Sequence, residues 1–149
     1  MSTKIYVAAD HAGFHLKRQL IQYLQVKGYE VEDCGAFELN EGDDYPDFII
    51  PCAKKVADNE GSLGIVIGGS GNGEQIAANK VKGIRAALYY GGDFRIAKLA
   101  REHNNANVLS LGARFLTPEE AKKALTAWLE AEFEGGRHER RIEKIEKVT

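Results

Sequence analysis

Cysteine is scarce in this sequence: Cys34 and Cys52 are the only two among 149 residues. Two cysteines cannot build a disulfide framework, and this pair lacks zinc-finger spacing. Free thiols in turn suggest a reducing cytoplasm. Neither sign of charge dominates. The formal net charge of -2 gives no electrostatic reason for a nucleic-acid or anionic-membrane partner. No apolar run approaches the length that spans a bilayer. The start, "MSTKIYVAAD", enters a strand almost at once, so no secretory signal peptide is expected. Repeats, low-complexity segments and Pro/Gly-rich linkers are also missing. What remains is ordinary for a soluble protein, 44% hydrophobic and 28% charged. The length suits one domain over residues 1–149.

Strand and helix patterns alternate along the chain. Residues 4–9 read as a short buried strand that stops at Asp10. Residues 14–27 read as a helix, with Leu16, Leu20 and Leu24 on one face and Gly28 as its stop. "YEVEDCG" alternates as a second strand. A polar loop then leads to a helix with Asp44 as expected N-cap and Pro46 in its first turn. Pro51 inside that pattern predicts a kink or a late start. "SLGIVIGG" is a continuous apolar run fit for the centre of a parallel sheet. A helix follows from about Asn72. "GIRAALYY" and "ANVLSLGA" are the fourth and fifth strands. Between them lies a helix with Asp93 as expected N-cap and a stripe of Ile96, Leu99 and His103. Thr117, Pro118 and Glu120 spell a capping box before the clearest helix. Residues 136–148 form a last, charged helix. This order predicts an open parallel sheet with helices on both faces. Ligands in such sheets bind beyond the carboxyl ends of the strands. Asp10, His11, the 68–74 loop and Tyr90 are then expected at one edge.

The stretch "IVIGGSGNGEQIAANK" carries the strongest chemical signal. Gly68, Gly69, Gly71 and Gly73 allow several N–H groups to converge on one point, beside a helix N-terminus. Such a nest binds a phosphate or stabilises a transient oxyanion. It is not a P-loop, because Lys80 lies too far along. It is not the dinucleotide pattern either, because Glu74 takes the final glycine position. Glu74 has two readings. It stabilises a helix end, or it acts as a base beside a forming enediolate, where it does not have to share the helix end with a phosphate. Ser70 can give and accept protons. Asp10–His11 is either a surface hydrogen-bonded pair or part of a site at the sheet edge. His103 is either a helix C-cap or a general acid. Arg137 and Arg141, at i and i+4 near a helix N-terminus, suit a bound phosphate that Arg114 can join. Otherwise they belong to a solvated face balanced by Glu139 and Glu143, or to a helix that packs through Ile142 and Ile145. The four histidines show no ligand spacing, and no metal is expected.

The segments "AADHAGF", "DYPDF", "GGSGNGEQIAANK", "GIRAAL", "REHNNANVLSLGAR" and "FEGGRHERRI" together resemble the type B ribose-5-phosphate isomerase family, which includes the galactose-6-phosphate isomerase subunits. The resemblance implies a Rossmann-like three-layer αβα sandwich with a five-stranded parallel sheet. It implies a homodimer with shared active sites and aldose–ketose isomerisation without metal or organic cofactor. Asp10 and His11 would then position the sugar, His103 would assist ring opening, and Asn104 would hold a hydroxyl. Arg114, Arg137 and Arg141 would bind the phosphate. Gly69, Ser70, Gly71, Asn72 and Gly73 would line the reacting end, with Ser70 moving a proton between oxygens. Many members carry a cysteine base where this chain has Gly68, so the base role passes to Glu74, as in a branch with glycine and glutamate at these positions. Ribose 5-phosphate is the expected substrate. Allose, galactose or tetrose phosphate, or non-catalytic binding of a sugar phosphate, are the alternatives.

Overall fold

Alternation along the central strands decides which side chain faces which helical layer. In β1 (Lys4–Ala9), Ile5, Val7 and Ala9 point one way and Tyr6 and Ala8 the other. Leu63, Ile65 and Ile67 of β3 (Leu63–Gly68) join the first side, and Val66 joins the second. In β5 (Val108–Gly112), Leu109 and Leu111 face the first side and Val108 the second. These strands are buried on both faces, as the apolar runs predict.

The computed structural model describes residues 3–148. With β2 (Glu30–Asp33) and β4 (Ala86–Tyr89), the strands form one five-stranded parallel sheet in the order β2-β1-β3-β5-β4. The first face is covered by α1 (Phe14–Val26), α4 (Arg95–Asn104) and α5 (Pro118–Glu130). Leu16, Leu20 and Leu24 of α1 enter that core beside Trp128 of α5. The second face is covered by α2 (Pro46–Asp58) and α3 (Asn72–Asn79), through Ile49, Cys52, Ala53, Val56, Ala77 and Ala78. The last helix, α6 (Arg137–Glu146), packs against α4. The layered α/β architecture is therefore the expected one.

Several local details differ from the sequence reading. Tyr45, not Asp44, occupies the N-cap of α2 and makes no side-chain cap bond. Asp44 contributes only its carbonyl, which accepts the Asp47 N–H at 3.1 Å. α2 does not start late. Pro46 opens it, and the helix continues through Pro51 to Asp58. Phe94 holds the N-cap position of α4, but the Asp93 carboxylate still accepts the Arg95 N–H at 3.0 Å. Ala97 and Ala100 make the buried face of that helix, while Ile96 and Leu99 are exposed. Small side chains let α4 lie close to the sheet, so the larger ones turn outward. The capping box of α5 forms as read: Thr117 Oγ1 accepts from Glu120 N–H and Glu120 accepts from Thr117 N–H.

β1 and β3 are neighbours, but the chain leaves them in opposite directions, to β2 on one side and to β4 and β5 on the other. The carboxyl ends of β1 and β3 therefore flank a topological switch point, where such sheets bind ligands.

Candidate active site

β1 delivers Asp10 to this switch point. Its carboxylate is buried and accepts the Ala12 N–H at 2.9 Å and the Gly13 N–H at 3.3 Å, which turns the chain into a 3-10 turn, His11–Gly13. A Cβ at Gly13 would lie 2.6 Å from Ile67 Cγ2, so glycine lets this turn lie directly on β3. His11 is held by a residue 32 positions away. Asp43 Oδ1 accepts its backbone N–H at 3.2 Å and lies 2.8 Å from its Nδ1. That hydrogen bond, reinforced by the charges of Asp10 and Asp43, raises the His11 pKa above its ordinary value. With a carboxylate as its partner, Nδ1 is the ring nitrogen that carries the proton.

β3 delivers the glycine loop. Gly71 takes φ +84 at the N-cap of α3, and the loop is pinned from β5: buried Ser110 Oγ donates to the Gly71 carbonyl at 2.7 Å. Asn72 donates its backbone N–H and its Nδ2 to Ser70 Oγ, each at 3.2 Å, so the Ser70 hydroxyl keeps its own proton to give. The Tyr45 ring lies over the start of α3, where a Cβ on Gly73 would meet its Cζ at 2.6 Å. Arg114 flanks the loop from beyond β5. Its N–H donates to the Gly69 carbonyl at 3.0 Å, and its Nη1 lies 3.1 Å from where a Gly69 Cβ would be.

Glu74 folds back over the end of β3. A Cβ on Gly68 would lie 2.0 Å from its Cδ and 2.1 Å from both carboxyl oxygens. The carboxyl group thus occupies the volume that any side chain at position 68 would need. Glu74 is only 4% exposed. Burial raises its pKa above the usual glutamate value, and the nearby Asp10 adds to the rise. Its environment shifts a carboxylate towards the working range of a general base.

The remaining candidates lie elsewhere. α4 returns between two parallel strands, so its C-terminal end reaches the amino edge of the sheet, opposite the glycine loop. His103 and exposed Asn104 stand there. The His103 ring stacks on that of buried His138, with centroids 4.3 Å apart and planes 11° apart. Exposed Arg137 and Arg141 belong to the same helix as His138. One chain therefore gathers two groups: Asp10, His11, residues 68–74 and Arg114 at the carboxyl edge; His103, Asn104, Arg137 and Arg141 at the other. Tyr90 lies with the first group, beside Gly112 and 6.2 Å from the Phe115 ring. Asp43, Tyr45 and Ser110 escaped sequence reasoning. The quoted segment "DYPDF" holds Tyr45, but nothing in its spacing points to α3.

Comparison with known proteins identifies the family. A family model described as Ribose/Galactose Isomerase matches residues 5–145. Ribose-5-phosphate isomerase B of Mycobacterium leprae (strain TN) is 49% identical over 141 residues, covering 94% of this chain and 86% of the relative. The crystal structure of ribose-5-phosphate isomerase B from Mycoplasma genitalium with bound ribulose-5-phosphate superposes with a TM-score of 0.95 at 47% identity, covering 99% of this chain and 97% of that one. The type B ribose 5-phosphate isomerase of Trypanosoma brucei gives a TM-score of 0.93 at 39% identity, with 100% of both chains covered. The chain belongs to the ribose/galactose isomerase family.

Proposed function

We propose that this chain is an aldose–ketose isomerase that interconverts ribose 5-phosphate and ribulose 5-phosphate through a cis-enediolate, with no metal or organic cofactor in the chemistry. One observation carries the reading: a buried carboxylate, Glu74, packed over a strand-end glycine at the switch point, with its charged form disfavoured by burial. The relative from Mycoplasma genitalium, crystallised with ribulose-5-phosphate, supports the choice of substrate.

His103 assists opening of the sugar ring, and Asp10, His11 and Asn104 orient the open chain. Glu74 takes the proton from C2 of the aldose, and the electrons pass to the C1 carbonyl oxygen. The first-turn N–H groups after Gly71 offset the charge that develops there, because a helix start leaves its N–H groups without intrahelical carbonyls. Ser70 moves a proton between O2 and O1. Glu74 then returns its proton to C1, which leaves the ketone at C2. Arg114, Arg137 and Arg141 hold the phosphate, and this remote binding orients the reacting carbons. No charge or atom is left over.

The two residue groups lie at opposite edges of one sheet, so a complete site needs two chains. A homodimer with shared sites brings the Glu74 group of one subunit to the His103 group of the other. The setting that suits two free thiols is the cytoplasm. Mixing tests the sharing. Glu74→Gln and His103→Asn dimers are each nearly inactive, but after subunit exchange one site in each mixed dimer is intact, restoring about a quarter of wild-type activity in a two-fold assembly. Mixtures as inactive as their parents would place the whole site within one chain.

A further inference from the structure

The two cysteines of the chain meet where α2 crosses the end of β2. Cys52, in the middle of α2, is fully buried. Cys34, one residue beyond β2, is half-buried and packs on the same core cluster. Contacts on either side set the pair in register. Lys55, three residues after Cys52, forms an ion pair with Glu32, two residues before Cys34. Phe48, four residues before Cys52, meets the residue after Cys34: a Cβ on Gly35 would lie 2.9 Å from Phe48 Cδ1. α2 connects two parallel strands and so runs against them, which makes these contacts successive rungs with Cys34 and Cys52 between them. Three helical residues rise about 4.5 Å, and two strand residues about 6.6 Å. The long Lys55 and Glu32 side chains take up the difference.

The two thiols are not equivalent. The hydrogen bond from Cys52 lowers the Cys34 pKa below the usual thiol value; burial opposes this and the Lys55 charge assists it. The same hydrogen bond, together with burial, pushes the Cys52 thiol well above that value. Cys34 is therefore the sulfur that solvent reaches and that ionises first, while Cys52 keeps its proton. A reactive thiol needs both access and thiolate character. Neither cysteine enters the isomerisation above.

We propose that Cys34 and Cys52 form a peroxide-responsive modification site that closes reversibly into one intrachain disulfide. The Cys34 thiolate attacks hydrogen peroxide. The O–O bond breaks, an S–O bond forms, and hydroxide leaves, so the sulfur is oxidised to a sulfenic acid and the peroxide is reduced. Cys52 then attacks that sulfur. The S–O bond breaks, the S–S bond forms, and the departing hydroxide leaves as water with the Cys52 proton. Two thiols and one peroxide thus become one disulfide and two waters, and a dithiol reductant reverses the bond by exchange. The bridge closes a loop over residues 35–51. That loop holds Asp43, which binds His11, and Tyr45, which lies over Gly73. Closing it removes freedom from the unfolded chain and fastens the segment. Transient, redox-sensing bridges are the kind that a reducing compartment permits.

The test treats the reduced, full-length protein with hydrogen peroxide, beside Cys34→Ser and Cys52→Ala, and reads intact mass, free thiols after denaturation, and thermal melts. Wild type should lose two hydrogens in mass and both thiols, and dithiothreitol should restore them. The oxidised form should melt about 6–12 °C higher and return on reduction. Amide exchange across residues 37–45 should slow on oxidation. Cys52→Ala should stop at a sulfenic acid on Cys34 that dimedone traps. Cys34→Ser should keep its remaining thiol at peroxide concentrations that oxidise wild type. Wild type that keeps both thiols, or that gains oxygen at Cys34 without a disulfide, overturns the site, and so does a disulfide between chains. An intrachain disulfide that moves neither Tm nor exchange overturns the fastening of the loop. Should Cys52→Ala fail to fold, the wild-type mass and thiol counts still decide.

Discussion

Replacing Gly68 by alanine asks whether Glu74 works from the place it occupies. The new Cβ would lie 2.0 Å from Glu74 Cδ and 2.1 Å from both oxygens, far inside contact distance. Gly68 lies in a strand with no left-handed φ, so alanine strains nothing in its own backbone. The colliding atoms are the far end of a flexible side chain, which can swing out of its buried position. Stability should therefore change by less than about 1 kcal/mol, a shift of only a few degrees in Tm for a chain of this size. Catalysis should not survive so well. A displaced general base costs about 10²–10⁴ in kcat, or roughly 2.7–5.4 kcal/mol of barrier. The assay is a coupled measurement of kcat and KM on ribose 5-phosphate, with thermal melts on the same preparations. A folded Gly68→Ala enzyme with wild-type kcat would refute the placement of the base. The same geometry explains why position 68 carries no side chain: the Glu74 carboxyl group takes its volume.

Two further perturbations separate charge from position. Glu74 has a pKa raised above the ordinary 4.5, so above that value the native state holds its proton more tightly than the unfolded chain does. Ionising Glu74 therefore costs stability as pH rises through the window between 4.5 and the native value. Glu74→Gln should be more stable than wild type above that window and equal to it well below 4.5, by denaturant melts across pH. For His11 the sign is opposite. Its pKa is raised by Asp43, so the pair stabilises the fold at low pH and loses that effect as pH climbs through the raised value. Asp43→Asn should lower the His11 pKa in an NMR titration and cost about tenfold in kcat/KM, the worth of one hydrogen bond to a charged group. An unmoved titration would remove Asp43 from the site.

How much of this was legible in the sequence depended on range. Thr117 and Glu120 are three residues apart, and their capping box forms as read. The glycine loop could be placed too, because an apolar strand pattern and a helix pattern bracket it. The Asp43–His11 bond could not, because it joins positions 32 apart through a polar loop with no periodicity. Nor does sequence reveal that Glu74 reaches back over Gly68, since that depends on the rotamer a buried carboxylate adopts. Arg114 was grouped with Arg137 and Arg141 as one anion site. In one chain the fold separates them, because Arg114 follows a strand at its carboxyl end and α6 docks near the end of α4. Ile96 and Leu99 show the limit of pattern reading. Their spacing marks a stripe, but the smaller Ala97 and Ala100 take the core while Ile96 and Leu99 stay exposed.

The most direct measurement of the central claim follows the C2 proton of ribose 5-phosphate by NMR in deuterated water, with wild type and Glu74→Gln at saturating sugar phosphate. Wild type should convert the sugar and exchange or relocate that proton. Glu74→Gln should still bind the sugar phosphate in a titration, yet leave C2 untouched on the same timescale. Isomerisation or C2 exchange by Glu74→Gln near the wild-type rate would contradict the assignment of Glu74 as the base.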